Sequence, residues 1–128
     1  MDPLVAAALE ARSHACARYS GFRVGAALED DAGRIYTGCN IENATYGLTV
    51  CAERVAVFKA LSEGVRQFRR IAVAAESPTL TPPCGACRQI LWEFCGDIEI
   101  ILADTGGRTE TWRLSALFPK PFDATSLE

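Results

Sequence analysis

The chain has little positive charge, a single histidine and no long apolar run. Lysine and arginine number 13 against 16 acidic residues, a formal net charge of −3. That balance argues against a protein that lives on a phosphate backbone, where a basic surface supplies most of the affinity. The one basic cluster, Arg66, Arg69 and Arg70, falls between a predicted helix and a predicted strand and reads as solvated surface. No stretch approaches the roughly 18 apolar residues that a bilayer-spanning helix requires. The start, Met1-Asp2-Pro3-Leu4, lacks the basic head and apolar run of a secretory signal. These shortages predict a cytoplasmic protein with no nucleic-acid partner and no membrane. The lone His14, on the first predicted helix, reads as a surface side chain rather than a metal ligand.

What is present fits one folded domain spanning 1–128. Hydrophobic residues make up 49% and charged residues 23%, ordinary for a globular chain, and the length leaves no room for a second core. Six cysteines in a reducing compartment call for an explanation as ligands, nucleophiles or buried small apolar residues, with disulfides last.

Asp2-Pro3 predicts a helix start, an N-cap acceptor followed by proline, and apolar spacing carries that helix to about Ala17. Alternation from Phe22 to Leu28 predicts a strand. A turn at Asp30–Gly33 and a second strand through Ile35, Thr37 and Cys39 complete a hairpin. The polar loop Asn40–Thr49 is too long for a bare connection, so function is expected there. Helices are predicted over Cys51–Glu63 and from Cys84 to about Phe94, and buried strands over Phe68–Ala75 and Ile98–Ala103. The Gly106-Gly107 turn sends Thr109–Arg113 back antiparallel, and a short helix covers Leu114–Phe118. Helices alternating with buried strands imply a layered α/β domain with a mixed sheet.

Cys84-Gly85-Ala86-Cys87 sets two thiols three residues apart at a helix start, on one face and within reach of a single ion. The pair alone fits a redox dithiol equally well. Thr49-Val50-Cys51-Ala52-Glu53-Arg54 adds a third thiol. Cys51 and Glu53 lie two apart, and they converge only if the helix begins at about Cys51. A helix from there travels roughly 20 Å out and an eight-residue strand returns roughly 26 Å, which brings Cys84 back to the end where Cys51 started. Three ligands with an open fourth position are the arrangement of a catalytic zinc. Cys16, Cys39 and Cys95 fall outside these motifs and are expected to be packed or partly buried.

Zinc with three thiolates is formally −1 and a weak Lewis acid unless density is drawn off the sulfurs. The two helix N-termini can do this, as can Arg54, with Gln89 a neutral second candidate. Glu53 would take a proton from water on the metal and pass it to a leaving amine.

Cys51-Ala52-Glu53-Arg54 and Pro83-Cys84-Gly85-Ala86-Cys87-Arg88-Gln89 together resemble the two zinc signatures of the small cytidine deaminases. Tyr19–Leu28 and Gly38–Ala44 resemble further segments of that family, so the likeness spans nearly the whole chain. The resemblance implies an α/β fold, a three-layer α/β/α sandwich on a five-stranded mixed sheet with an antiparallel fifth strand. It implies one zinc per subunit on Cys51, Cys84 and Cys87, with Glu53 as proton shuttle. Asn40 and Glu42 match residues that bond the ribose 3′-hydroxyl, Phe22 matches an aromatic on the base, and the Ala52 amide matches a donor to the pyrimidine carbonyl. The family's members of this size are homotetramers whose sites borrow residues from neighbours, and Tyr46 and Phe122 match such positions. The implied reaction turns cytidine and deoxycytidine into uridine and deoxyuridine with release of ammonia, in pyrimidine salvage. A deaminase for blasticidin S is the nearest rival, against which Glu42 speaks, since a carboxylate suits a free ribose hydroxyl. A zinc-stabilised binding module or a redox dithiol protein would leave Glu53, Asn40 and Glu42 without a role.

Overall fold

Asp2 caps the first helix: its Oδ1 accepts from the Leu4 amide at 2.9 Å and Pro3 opens the first turn. In the computed structural model, which describes residues 1–128, this helix is α1 (Pro3–Arg12). It stops well short of Ala17. The amides of Ser13, His14 and Ala15 still turn back on the carbonyls of Glu10, Ala11 and Arg12. The amide of Cys16 instead goes to the carbonyl of Asn40 (2.9 Å), and Cys16 forms a parallel bridge with Ile41, so the Cys16 backbone is satisfied by another segment and not by its own helix. Ala15, whose spacing looked helical, is buried outside the helix, and Cys16 is exposed where a packed thiol was expected.

Five strands follow: β1 (Val24–Asp30), β2 (Ile35–Cys39), β3 (Phe68–Ala75), β4 (Glu99–Ala103) and β5 (Thr109–Arg113). They lie in the order β2-β1-β3-β4-β5. Only the β3–β4 pair is parallel, so the sheet is mixed and its fifth strand antiparallel, as expected. β1 begins at Val24 and not at Phe22, because the Asn40 side chain takes the place of a neighbouring strand: its Oδ1 accepts from Val24 N (2.9 Å) and its Nδ2 donates to Phe22 O (2.8 Å).

Strand alternation sorts the core into two layers. Ala26, Leu28, Ile71, Val73, Ile100 and Leu102 face the helices α2 (Ala52–Ser62) and α3 (Gly85–Cys95), where Ala56, Val57, Ala60 and Leu91 complete the larger cluster. Ala27, Ala72, Ala74, Ile101 and Ala103 face Leu4, Val5 and Ala8 of α1. The alanine-paved face lets α1 lie close, while the bulkier face supplies most of the burial, at about 1.5–3 kcal/mol for each fully buried Leu, Ile or Val. The result is the three-layer sandwich. A short α4 (Leu114–Leu117) and a terminal 3₁₀ turn at Ala124–Leu127 close the chain.

This topology collects loops at one end of the sheet. β2 and β3 both run antiparallel to β1, so the ends of β2 at Cys39 and β3 at Ala75 lie beside the start of β1 at Val24 and Gly25. The loop after Cys39 is pinned by reciprocal Ile41–Val50 bonds at 2.9 Å and delivers the chain to Cys51. The loop after Ala75 delivers it to Cys84. α2 can settle against β2 because residue 38 is glycine: a β-carbon there would stand 2.6 Å from the Ala56 nitrogen and closer still to the Ala52 carbonyl oxygen.

Candidate active site

Cys51 and Cys84 are the N-cap residues of α2 and α3, each in extended backbone just before its helix. Their thiols therefore lie in the positive field of free helix N–H groups. The Cys87 amide points at Cys84 Sγ (3.4 Å). Cys51 Sγ is 3.9 Å from Cys84 Sγ, Cys84 Sγ is 3.3 Å from Cys87 Sγ, and the three sulfurs all lie within 4.8 Å of one another. Tetrahedral thiolates around one zinc sit about 3.8 Å apart, so this spacing fits a single ion held by three sulfurs. Cys87 is buried, Cys51 half-buried and Cys84 exposed, so the trio runs from the interior to the surface.

The donor set asks for a cation on chemical grounds. Cys51 is held down at about 5, first by its hydrogen bond with Cys87 and then by Arg54, whose Nη2 donates to Cys51 Sγ at 3.2 Å. Cys87 is pushed far up by the same bond with Cys51 and by burial. Three sulfurs this close cannot all carry charge by themselves, and a divalent ion is what lets them.

Glu53, in the first turn of α2, is 5% exposed. Burial pushes its carboxyl up to about 7, with the charge on Cys51 adding to the shift. A carboxyl poised between its two protonation states at neutral pH suits an acid–base role.

A cavity of about 240 Å³, enough for one small molecule, gathers Phe22, Asn40, Glu42, Cys51, Ala52, Glu53 and Cys84. Phe22 is 40% exposed and forms part of the wall. Asn40 is buried, its amide spent on the Phe22 and Val24 backbone. Glu42 is fixed by the Tyr19 and Ser20 amides, both 3.0 Å from Oε1, and by the Ser20 hydroxyl on Oε2. These bonds, the Ser20 hydroxyl first, hold its carboxyl below the usual range.

Not every predicted residue is drawn in. Tyr46 is 75% exposed on the 3₁₀ turn Tyr46–Leu48, set edge-on to Tyr19 with ring centroids 6.1 Å apart, and it lines a neighbouring cavity. Phe122 is exposed on the C-terminal tail. Gln89 donates its amide to the Phe122 carbonyl (2.8 Å) and not to a thiolate. Sequence reasoning gave no role to Ser20, Val24, Thr49, Val73, Thr81 and Pro82, which complete the cavity. Ser20 and Val24 had a signal, as neighbours of Phe22 in the Tyr19–Leu28 segment, and so had Thr49, at the head of the segment that leads to Cys51.

Residues 2–103 match the family model for the cytidine and deoxycytidylate deaminase zinc-binding region. The chain is 45% identical to a cytidine deaminase of Sporosarcina psychrophila, with 99% of this chain and 94% of the relative covered. It is 46% identical to a cytidine deaminase of Halalkalibacterium halodurans, covering 97% and 95%. Among solved structures, the crystal structure of cytidine deaminase from Burkholderia pseudomallei superposes with a TM-score of 0.90 at 44% identity, over 93% of this chain and 96% of that one.

Proposed function

Since the chain belongs to the family of zinc-dependent cytidine deaminases, we propose that it hydrolyses the 4-amino group of cytidine and deoxycytidine, giving uridine or deoxyuridine and ammonia. One observation carries this reading: three sulfurs are spaced for a single metal ion, and two of them, on Cys51 and Cys84, line a cavity together with the buried carboxyl of Glu53.

Cys51, Cys84 and Cys87 would hold the zinc, which when bound supplies a water acidified toward neutral pH. Glu53 would take a proton from the attacking water as its oxygen adds to C4, and would give that proton to N3. It then carries the hydroxyl proton to the amino nitrogen, the C4–N bond breaks, and ammonia leaves with C4 as a carbonyl. Arg54 steadies Cys51 and draws density from its sulfur. Phe22 packs on the base, the Ala52 amide donates to the pyrimidine carbonyl, Glu42 accepts the proton of the sugar's 3′-hydroxyl, and the second N–H of Asn40 Nδ2 donates to that hydroxyl's oxygen. The wall toward the sugar carries Glu42 and no lysine or arginine, which suits a nucleoside over a phosphorylated substrate.

The reading includes a cytoplasmic enzyme of pyrimidine salvage working as a homotetramer. Exposed Tyr46, Leu48 and Phe122 offer apolar surface for a neighbouring copy to cover, and light scattering measures that state. No helix is long and apolar enough to cross a membrane.

The decisive assay incubates the zinc-loaded chain with cytidine and follows absorbance loss and ammonia. Glu53→Ala is expected to keep its zinc and lose activity by several powers of ten. Absence of conversion by the wild type, or wild-type turnover by the variant, refutes the assignment.

A further inference from the structure

The cavity over the sulfurs and its neighbour of about 410 Å³ share one wall, made of Ser20, Glu42 and Thr49. A glutamate in such a wall has three side-chain torsions and would ordinarily swing toward water. Here it is held at both oxygens. Oε1 accepts the Tyr19 and Ser20 amides, each at 3.0 Å, and these two bonds alone would leave the carboxylate free to pivot about Oε1. The Ser20 hydroxyl stops the pivot by donating to Oε2, where the only other donor, Asn40 Nδ2, stands at 3.5 Å.

The hydroxyl is itself oriented. Its oxygen accepts from the Phe22 amide at 3.0 Å, which leaves its single proton for Glu42. That return of the backbone depends on Gly21, whose φ of +68° lies in the left-handed region. One hydroxyl therefore ties the carboxylate to the backbone of the aromatic across the cavity.

We propose that Ser20 is a positioning residue for Glu42, fixing the carboxylate so that the free lone pair of Oε2 meets the substrate's 3′-hydroxyl, and that it thereby sets selectivity for nucleosides that carry this hydroxyl. The inference rests on the functional reading above. Ser20 hydrogen-bonds Glu42 and the Phe22 amide and makes no hydrogen bond to the metal ligands or Glu53, so its loss leaves the chemical step alone and acts on binding of the sugar. A hydrogen bond to a charged group, lost with its geometry, corresponds to roughly a tenfold change.

The test compares cytidine with 3′-deoxycytidine as substrates of the zinc-loaded wild type, Ser20→Ala and Ser20→Thr, with zinc content measured on each. In Ser20→Ala the KM for cytidine should rise about tenfold with kcat held within twofold, while kcat/KM for 3′-deoxycytidine stays within twofold, so the preference between the two collapses. Ser20→Thr, which keeps the hydroxyl, should restore that preference. An equal fall with both substrates, an unchanged preference, or a Ser20→Thr variant that behaves like Ser20→Ala overturns the role given to Ser20. A wild-type chain that leaves cytidine unconverted overturns the functional reading, and this inference with it, a result distinct from those three.

Discussion

Replacing Gly38 with alanine tests how the fold aims the site. The glycine sits on β2 under the first turn of α2, the turn that carries Ala52, Glu53 and Arg54. An added β-carbon would lie 2.6 Å from the Ala56 nitrogen and nearer to the Ala52 carbonyl oxygen, with Val55 Cβ at 3.0 Å. The first two are backbone atoms, so no change of rotamer relieves them. To reach an ordinary contact of about 3.4 Å, the helix start must back off by roughly 1 Å. Overpacking of this kind costs about 1–3 kcal/mol, and displacement of a catalytic group by roughly 1 Å costs on the order of a hundredfold in rate. Gly38→Ala should therefore melt roughly 5–15 °C lower than the wild type and turn over cytidine roughly a hundredfold more slowly while still binding zinc. Calorimetry, metal analysis and steady-state kinetics read the three quantities. A variant with wild-type melting and wild-type kcat would show that α2 does not depend on this close approach.

Arg54→Gln should weaken zinc retention against a chelator by roughly 10- to 100-fold, because it removes the charged donor on Cys51 Sγ; retention equal to wild type would deny that donor a role. Asp2 lies below the usual carboxylate range, chiefly through its hydrogen bond with Arg70, which also pairs with Glu29. A carboxyl depressed in the folded state adds stability above its unfolded pKa and loses it as pH falls through the folded value. Asp2→Asn should thus be less stable than wild type by about 1 kcal/mol at pH 7 in urea titrations, and the two should converge as pH drops below about 3.9. Cys95, pushed up to about 12 by burial, should resist alkylation at pH 8, whereas exposed Cys16 should react readily, as peptide mass mapping would show.

The sheet and the sulfur cluster were readable because their signals are local. Asp2-Pro3 starts a helix by itself, and β3 and β5 begin and end at the residues expected from the apolar run and the Gly106-Gly107 turn. Cys51 could be placed at a helix start because a glutamate two residues past a cysteine converges with it only there, and Cys84 because a Cys-x-x-Cys pair after Pro83 reads as a helix opening. The errors share a different origin. The end of α1 and the start of β1 are both set by the Asn40–Glu42 segment, which takes the Cys16 backbone and supplies the Asn40 side chain to Phe22 and Val24. Spacing within one segment carries no trace of a partner more than fifteen residues away. For the same reason Gln89 could be credited with a thiolate when its amide is spent on the Phe122 carbonyl, and Ser20 could be passed over although it grips Glu42.

X-ray absorption at the zinc edge of the loaded protein measures the coordination sphere itself. Three sulfurs at about 2.3 Å and one oxygen or nitrogen at about 2.0 Å are the predicted result, unchanged in Glu53→Ala and reduced to fewer sulfurs in Cys84→Ser. Four sulfurs, or a shell without sulfur, would contradict an open metal position beside Glu53.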